Sequence, residues 1–133
     1  MSGFVVDAGA AVEALGGKGA PAERLRRKLI DAECHAPHLI DAEVGQVLSR
    51  SVRRGEMKEL TAATALRGLI QLIDHRYPHA GGLAEQAWRL RHTISFYDAL
   101  YVALAARLDV PLLTTDVRLT KAGDLCCRVE LIS

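Results

Sequence analysis

Two short apolar runs, Phe4-Val5-Val6 and Pro111-Leu112-Leu113, break off abruptly at acids, the first at Asp7 and the second at Thr114-Thr115-Asp116. Neither run has a polar face, so each reads as a strand buried on both sides. Sheets buried on both sides are parallel and helix-covered, because parallel neighbours need a crossover connection. All strands of such a sheet end on one edge, where ligands bind. The two runs therefore point to a helix-covered parallel sheet with Asp7 and Asp116 on its functional edge.

The rest of the chain alternates accordingly. A small-residue helix from about Ala8 to Leu15 stops at Gly16-Gly17, and after Pro21 a second helix sets Leu25, Leu29 and Ile30 against Arg24, Arg27 and Lys28. The connection CHAPHL has room for a minimal strand. Beyond it Leu39, Ile40, Val44, Val47 and Leu48 form an apolar stripe on a helix that ends near Gly55. Leu66, Leu69, Ile70 and Ile73 mark a helix over 60–73, and DHRYPHAGG interrupts the pattern with a weak strand. LAEQAWRLRH and YDALYVALAARL are helical, and a last strand lies near Arg128 to Ile132. The expectation is an α/β chain forming one domain over 1–133.

Half of the residues are hydrophobic and a quarter charged, which suits an ordinary globular protein rather than a disordered one. The formal net charge is only +1, so a polyanionic partner must be held by local patches and not by a global field. Cys34, Cys126 and Cys127 make neither an even set nor a CxxC pair, which suggests a reducing compartment. The N-terminus lacks a basic segment and carries an acid within its apolar stretch, so it does not read as a signal peptide. No run approaches the roughly 18 apolar residues of a membrane span. A cytoplasmic protein is expected.

Four acids stand where an acid needs a reason. Asp7 and Asp116 end strands, Asp98 opens a helix, and Glu43 lies between Ile40 and Val47 on the apolar side of its helix. Each has a plain reading. Asp7 and Asp116 can cap the helices that follow them, Ser95 and Asp98 make an S-x-x-D capping box, and Glu43 can reach solvent at the rim of its stripe. Taken together they read differently. Carboxylates gathered on one sheet edge raise one another's pKa unless a cation sits among them, and all-oxygen donors favour Mg²⁺ or Mn²⁺ over zinc. Acids holding such an ion can hydrolyse a phosphodiester with a metal-activated water and no protein nucleophile. The chain has no Gly-rich phosphate loop and no GxSxG elbow, in agreement with that chemistry.

The series FVVDAGAAVEAL, APHLIDAEVGQVL and SFYDALYVALAARLDVPLLTTD resembles the PIN-domain ribonucleases, and among them the VapC-like toxins of type II toxin–antitoxin systems. The likeness covers nearly the whole chain, and YDALYVALA followed by PLLTTD is its most specific part. It implies a PIN-like three-layer α/β/α fold with a central, mostly parallel sheet of four to five strands. It also implies a Mg²⁺-dependent endoribonuclease, with Mn²⁺ as a possible substitute, restrained by a VapB-like antitoxin. Carried over residue by residue, it makes Asp7, Glu43, Asp98 and Asp116 the metal-binding and catalytic acids, with the Thr114 hydroxyl in support. A homodimer and a structured RNA substrate such as tRNA or rRNA are further implications. The alternative is a PIN-fold binding module without catalysis, in which the acids only cap helices. A phosphotransfer or phosphatase fold would need paired acids after the first strand, and VVDAGAA has none.

Other residues carry less. Arg89 and Arg91, before the Asp98 helix, and Arg118, just after Asp116, are the candidate substrate contacts. The clusters Arg24/Arg27/Lys28 and Arg50/Arg53/Arg54 read as solvated faces, and His35 with His38 as loop histidines rather than zinc ligands. Asp41, about 200° around the helix from Glu43, reads as a first-turn acid favoured by the helix dipole. Trp88, Leu100, Tyr101 and Leu104 are expected in the core or a subunit interface, and the cysteines as buried small hydrophobes.

Overall fold

The computed structural model describes residues 3–123 and 125–132. Its centre is β1 (Gly3–Val6), in a sheet with β2 (Glu33–Pro37), β3 (His75–Tyr77), β4 (Leu112–Thr114) and β5 (Val129–Leu131). The order is β3-β2-β1-β4-β5 and every adjacent pair is parallel. The sheet is thus parallel throughout and has five strands, the upper end of the expected range. Among the described residues seven helices flank it: α1 (Ala8–Gly16), α2 (Ala20–Ile30), α3 (Leu39–Arg53), α4 (Glu59–Leu72), α5 (Gly82–Trp88), α6 (Phe96–Leu108) and α7 (Val117–Lys121).

From β1 the chain steps outward to β2 and β3, then returns across β1 to β4 and β5. Right-handed crossovers therefore put α1 to α4 on one face and α5 and α6 on the other. The packing agrees, since α1 touches α2, α3 and α4 while α5 packs on α6. The direction of travel reverses between β1 and β4, which opens a crevice at their C-terminal ends. Val6 stands beside Leu113 there, and the Asp7 amide donates to the Leu113 carbonyl at 3.2 Å.

The core follows from composition. Val5, Val6, Leu112 and Leu113 are buried in the two central strands. In α6 every residue from Ala99 to Ala105 is buried, and its alanines let the helix lie close on β1, β2 and β4. Two apolar stripes differ from expectation. Ile30 points to solvent, and α4 buries Ala62, Ala65 and Leu69 while Leu66 and Ile70 are exposed. α1 itself presents alanines, so small residues of α4 approach it and the larger ones are turned outward. Cys34 is buried as expected, whereas Cys126 is exposed.

The minimal strand in CHAPHL and the weak strand in DHRYPHAGG are β2 and β3. Arg76 secures β3. Its guanidinium donates to both Asp41 carboxylate oxygens, at 2.8 and 3.0 Å, and to the carbonyls of Ile73 and Leu69 at the end of α4. Asp41 is the exposed first-turn acid expected of it, with Arg76 as its partner. His35 is not a loop residue. It is buried in β2, bonded to the Tyr77 hydroxyl at 2.7 Å and stacked on His75 at 5.0 Å.

Candidate active site

Asp7 leaves β1 in an extended conformation and its carboxylate accepts from the Ala10 amide at 2.9 Å, so it caps α1. Asp116 caps α7 through the Arg118 amide at 2.9 Å, and Ser95 caps α6 by accepting from the Asp98 amide at 3.1 Å. The capping roles suggested by the sequence are therefore real, and the caps also aim the acids. Thr114, fully buried at the end of β4, links the two strand ends. Its hydroxyl accepts from the Asp116 amide at 2.9 Å and donates to the Asp7 carboxylate.

Glu43 rides on α3 beside the buried Ile40 and Val44, and is itself only half-buried. It receives a hydrogen bond of 2.6 Å from the hydroxyl of Tyr101 on α6. Tyr101 is buried as expected, but it is a polar member of the site rather than a plain core residue. The signal was present in the sequence: Tyr101 stands three residues after Asp98, on the same face of the helix.

The acids sense one another. Burial pushes the Asp7 carboxyl up to about 6, with the hydrogen bonds from Thr114 and Ala10 pulling the other way and the charges of Asp98 and Glu43 adding to the rise. Glu43 is raised by burial and by the charge of Asp98, against the hydrogen bond from Tyr101. Asp98 is raised by burial and by the charge of Asp116. Burial, with Glu43 and the other carboxylates close by, drives the Tyr101 phenol far up, so it remains a donor. Asp116 departs from this pattern. Both oxygens are bonded by Arg118, at 2.8 and 3.1 Å, and that contact holds its pKa below the ordinary value.

Asp7, Glu43 and Asp98 thus lie near enough at the switch point to raise one another's pKa, Asp98 also senses Asp116, and Thr114 bonds both Asp7 and Asp116. Their donors are all oxygen, the set that suits a hard divalent ion. Among the described residues no group of three His, Cys, Asp or Glu side chains is arranged to hold a metal ion. A cleft of about 680 Å³ opens beside them, lined by Asp98 and Asp116 and by Arg91, His92, Arg118 and Lys121. Arg91 and Arg118, candidate substrate contacts from the sequence, both line it. Arg89, exposed at the end of α5, does not line the cleft, while His92 and Lys121 do and had no distinguishing sequence signal.

A parallel α/β/α sheet with interacting acids at its switch point defines the class, and the family model described as PIN domain matches residues 4–125. The chain belongs to the PIN-domain family. Over 132 residues, 99% of either chain, it is 54% identical to Ribonuclease VapC1 of Mycobacterium tuberculosis. It is also 40% identical over 130 residues to Ribonuclease VapC9 of the same organism, covering 97% of this chain and 98% of the relative. The fold matches VapBC2 from Rickettsia felis, solved bound to a DNA fragment from its promoter, with TM-score 0.71 at 13% identity over 98% of each chain.

Proposed function

We propose that the chain is a metal-dependent endoribonuclease and the toxin of a toxin–antitoxin pair, acting in the cytoplasm on RNA such as tRNA or rRNA. The observation that carries the reading is the half-buried Glu43, fixed by Tyr101 and facing Asp98 across two helices from opposite layers. An acid that only solubilised its helix would need neither burial nor a buried tyrosine. Support comes from the two ribonuclease relatives, similar over nearly their whole length.

Asp7, Asp98, Asp116 and Glu43 would hold Mg²⁺, with Mn²⁺ as substitute, since oxygen donors and the raised carboxyls of Asp7, Glu43 and Asp98 fit a hard cation, and Asp116 would give up its Arg118 contact to join them. Held by these residues, such an ion would supply charge neutralisation for a phosphodiester and Lewis acidity for a water. The protein's own groups do the rest. Thr114 keeps Asp7 in register with the end of β4, and Tyr101 fixes the Glu43 carboxylate, which orients the attacking water and can accept its proton. Arg91 and Arg118 face the cleft and meet the phosphate backbone. A VapB-like antitoxin is the proposed restraining partner, and a homodimer the proposed assembly, both from the likeness to VapC proteins.

The test is cleavage of a total-RNA pool by purified protein in Mg²⁺, in Mn²⁺ and in EDTA, beside Asp98→Asn. Discrete cuts that need the metal and disappear in the variant are expected. Intact RNA, or equal cutting by both proteins in EDTA, would overturn the nuclease and leave the binding module, in which the acids are caps alone.

A further inference from the structure

The chain is poor in aromatic residues, with one Trp, three Tyr and two Phe. Three of these, Trp88, Phe96 and Tyr97, are exposed within the ten residues that join α5 to the start of α6. Trp88 is 59% exposed and Tyr97 also 59%. The core does not use the indole, since α5 is anchored by Leu83 and Ala87. Arg91 lies over the ring with its guanidinium carbon 4.9 Å from the centroid, and donates to the Trp88 carbonyl at 2.9 Å. Stack and hydrogen bond together fix the arginine in place. The same Arg91 lines the cleft that holds Asp98 and Asp116. Tyr97 is the residue before Asp98 in the first turn of α6.

We propose that Trp88 and Arg91 form a base-stacking subsite at the mouth of the cleft, which accepts an unpaired nucleotide flanking the scissile phosphate. The proposal rests on the ribonuclease reading and adds the form of RNA taken. A solvent-exposed indole offers a π-face to any base, but only to one freed from a helical stack, so the subsite selects loops and single strands over duplex. Arg91 supplies both the cation–π partner and a phosphate contact. Charge decides between RNA and a second copy of the chain as the occupant. Arg91, Arg118 and Lys121 outnumber Asp98 and Asp116 in the cleft lining, with Arg89 exposed nearby, and a second copy would oppose those cations with its own, whereas a polyanion neutralises them.

Trp88 is the only tryptophan, so its fluorescence reports on the subsite directly. The experiment titrates Asp98→Asn protein in EDTA with an unpaired RNA of about 16 nucleotides, the upper end of single-strand site sizes for small binding domains, and with the same strand annealed to its complement. Saturable quenching by the unpaired strand and much less by the duplex is expected. Adding Trp88→Ala should weaken binding of the unpaired strand roughly ten- to a hundredfold, while Trp88→Phe retains most of the affinity. Adding Arg91→Ala should lower the salt dependence by about one phosphate contact. Circular dichroism checks that each variant is folded.

RNA binding with unchanged emission and an unaltered Trp88→Ala affinity overturns the inference and leaves the nuclease standing. Absence of both binding and cleavage in the unsubstituted protein removes both. Emission that changes on dilution without RNA, with Trp88→Ala monomeric and the unsubstituted chain dimeric by light scattering, also overturns it and assigns the face to contact between copies.

Discussion

Replacing Asp7 by asparagine removes a charge but keeps a side-chain oxygen able to accept from the Ala10 amide, so the cap on α1 survives. The carboxyl loses its proton near 3.8 in the unfolded chain and near 6 in the folded one, chiefly because it is buried. The folded state therefore holds that proton more tightly. Stability from this group is fully present below pH 3.8 and is lost as the pH rises through about 6. At about 1.4 kcal/mol per tenfold, the loss at neutral pH is roughly 3 kcal/mol. Asp7→Asn should thus be more stable than the unsubstituted protein by up to about 3 kcal/mol at neutral pH in EDTA. The gain should fade toward about pH 4, where both side chains are neutral. Urea titrations at several pH values measure it, provided the slope of the transition is the same for both proteins. Added Mn²⁺ should stabilise the unsubstituted protein more than the variant and narrow the gap from the other side. A variant no more stable at neutral pH, or a gap independent of pH, would refute the account of Asp7 as a buried charge held at the expense of the fold.

Other perturbations separate the site from its scaffold. Tyr101→Phe should slow RNA cleavage without weakening RNA binding, and should cost about 1–3 kcal/mol in a denaturation experiment because Glu43 loses its donor. Arg76→Ala should destabilise by about 1–2 kcal/mol through the freed α4 carbonyls and the loss of Asp41, and a double-mutant cycle with Asp41→Ala should show the two to be non-additive. His35 has its pKa lowered from 6.5 by burial and by His75, so the folded state binds that proton less readily than the unfolded one. Its contribution is present above 6.5 and is lost as the pH falls through the lower, folded value, opposite in sign to that of Asp7. His35→Gln should flatten the acid side of the stability profile measured by urea titration in the Asp7→Asn background.

The framework of the fold was legible because its signals are local. Apolar runs ending in acids gave β1 and β4, and glycines and caps marked the helix ends at Gly16, Gly55 and Ser95. The strands β2 and β3 were faint because each is short, and His35, Arg76 and Tyr77 owe their places to partners far along the chain. The exposure of Ile30, Leu66 and Ile70 could not be read from helical spacing, since spacing names a stripe but not what packs on it. Within the site the four acids were visible as exceptions to burial and capping rules. Tyr101 was hidden because a tyrosine among leucines and alanines reads as core until Glu43 is found against its hydroxyl. The Arg118 clamp on Asp116 is a choice of rotamer that a sequence does not record.

The position of β1 at the middle of the sheet has a consequence for biosynthesis. Its neighbours are β2, formed by residues 33–37, and β4, formed by residues 112–114, so the crevice between β1 and β4 closes only when the last part of the chain arrives. Translation at about 5–20 residues per second leaves seconds between the synthesis of Asp7 and that of Asp116. During that interval Asp7 and Glu43 can be in place while Asp98, Asp116 and Thr114 are still to come. The acids at the switch point therefore come together only near the end of synthesis, because the strand and helix that carry Asp98 and Asp116 are among the last to reach the sheet.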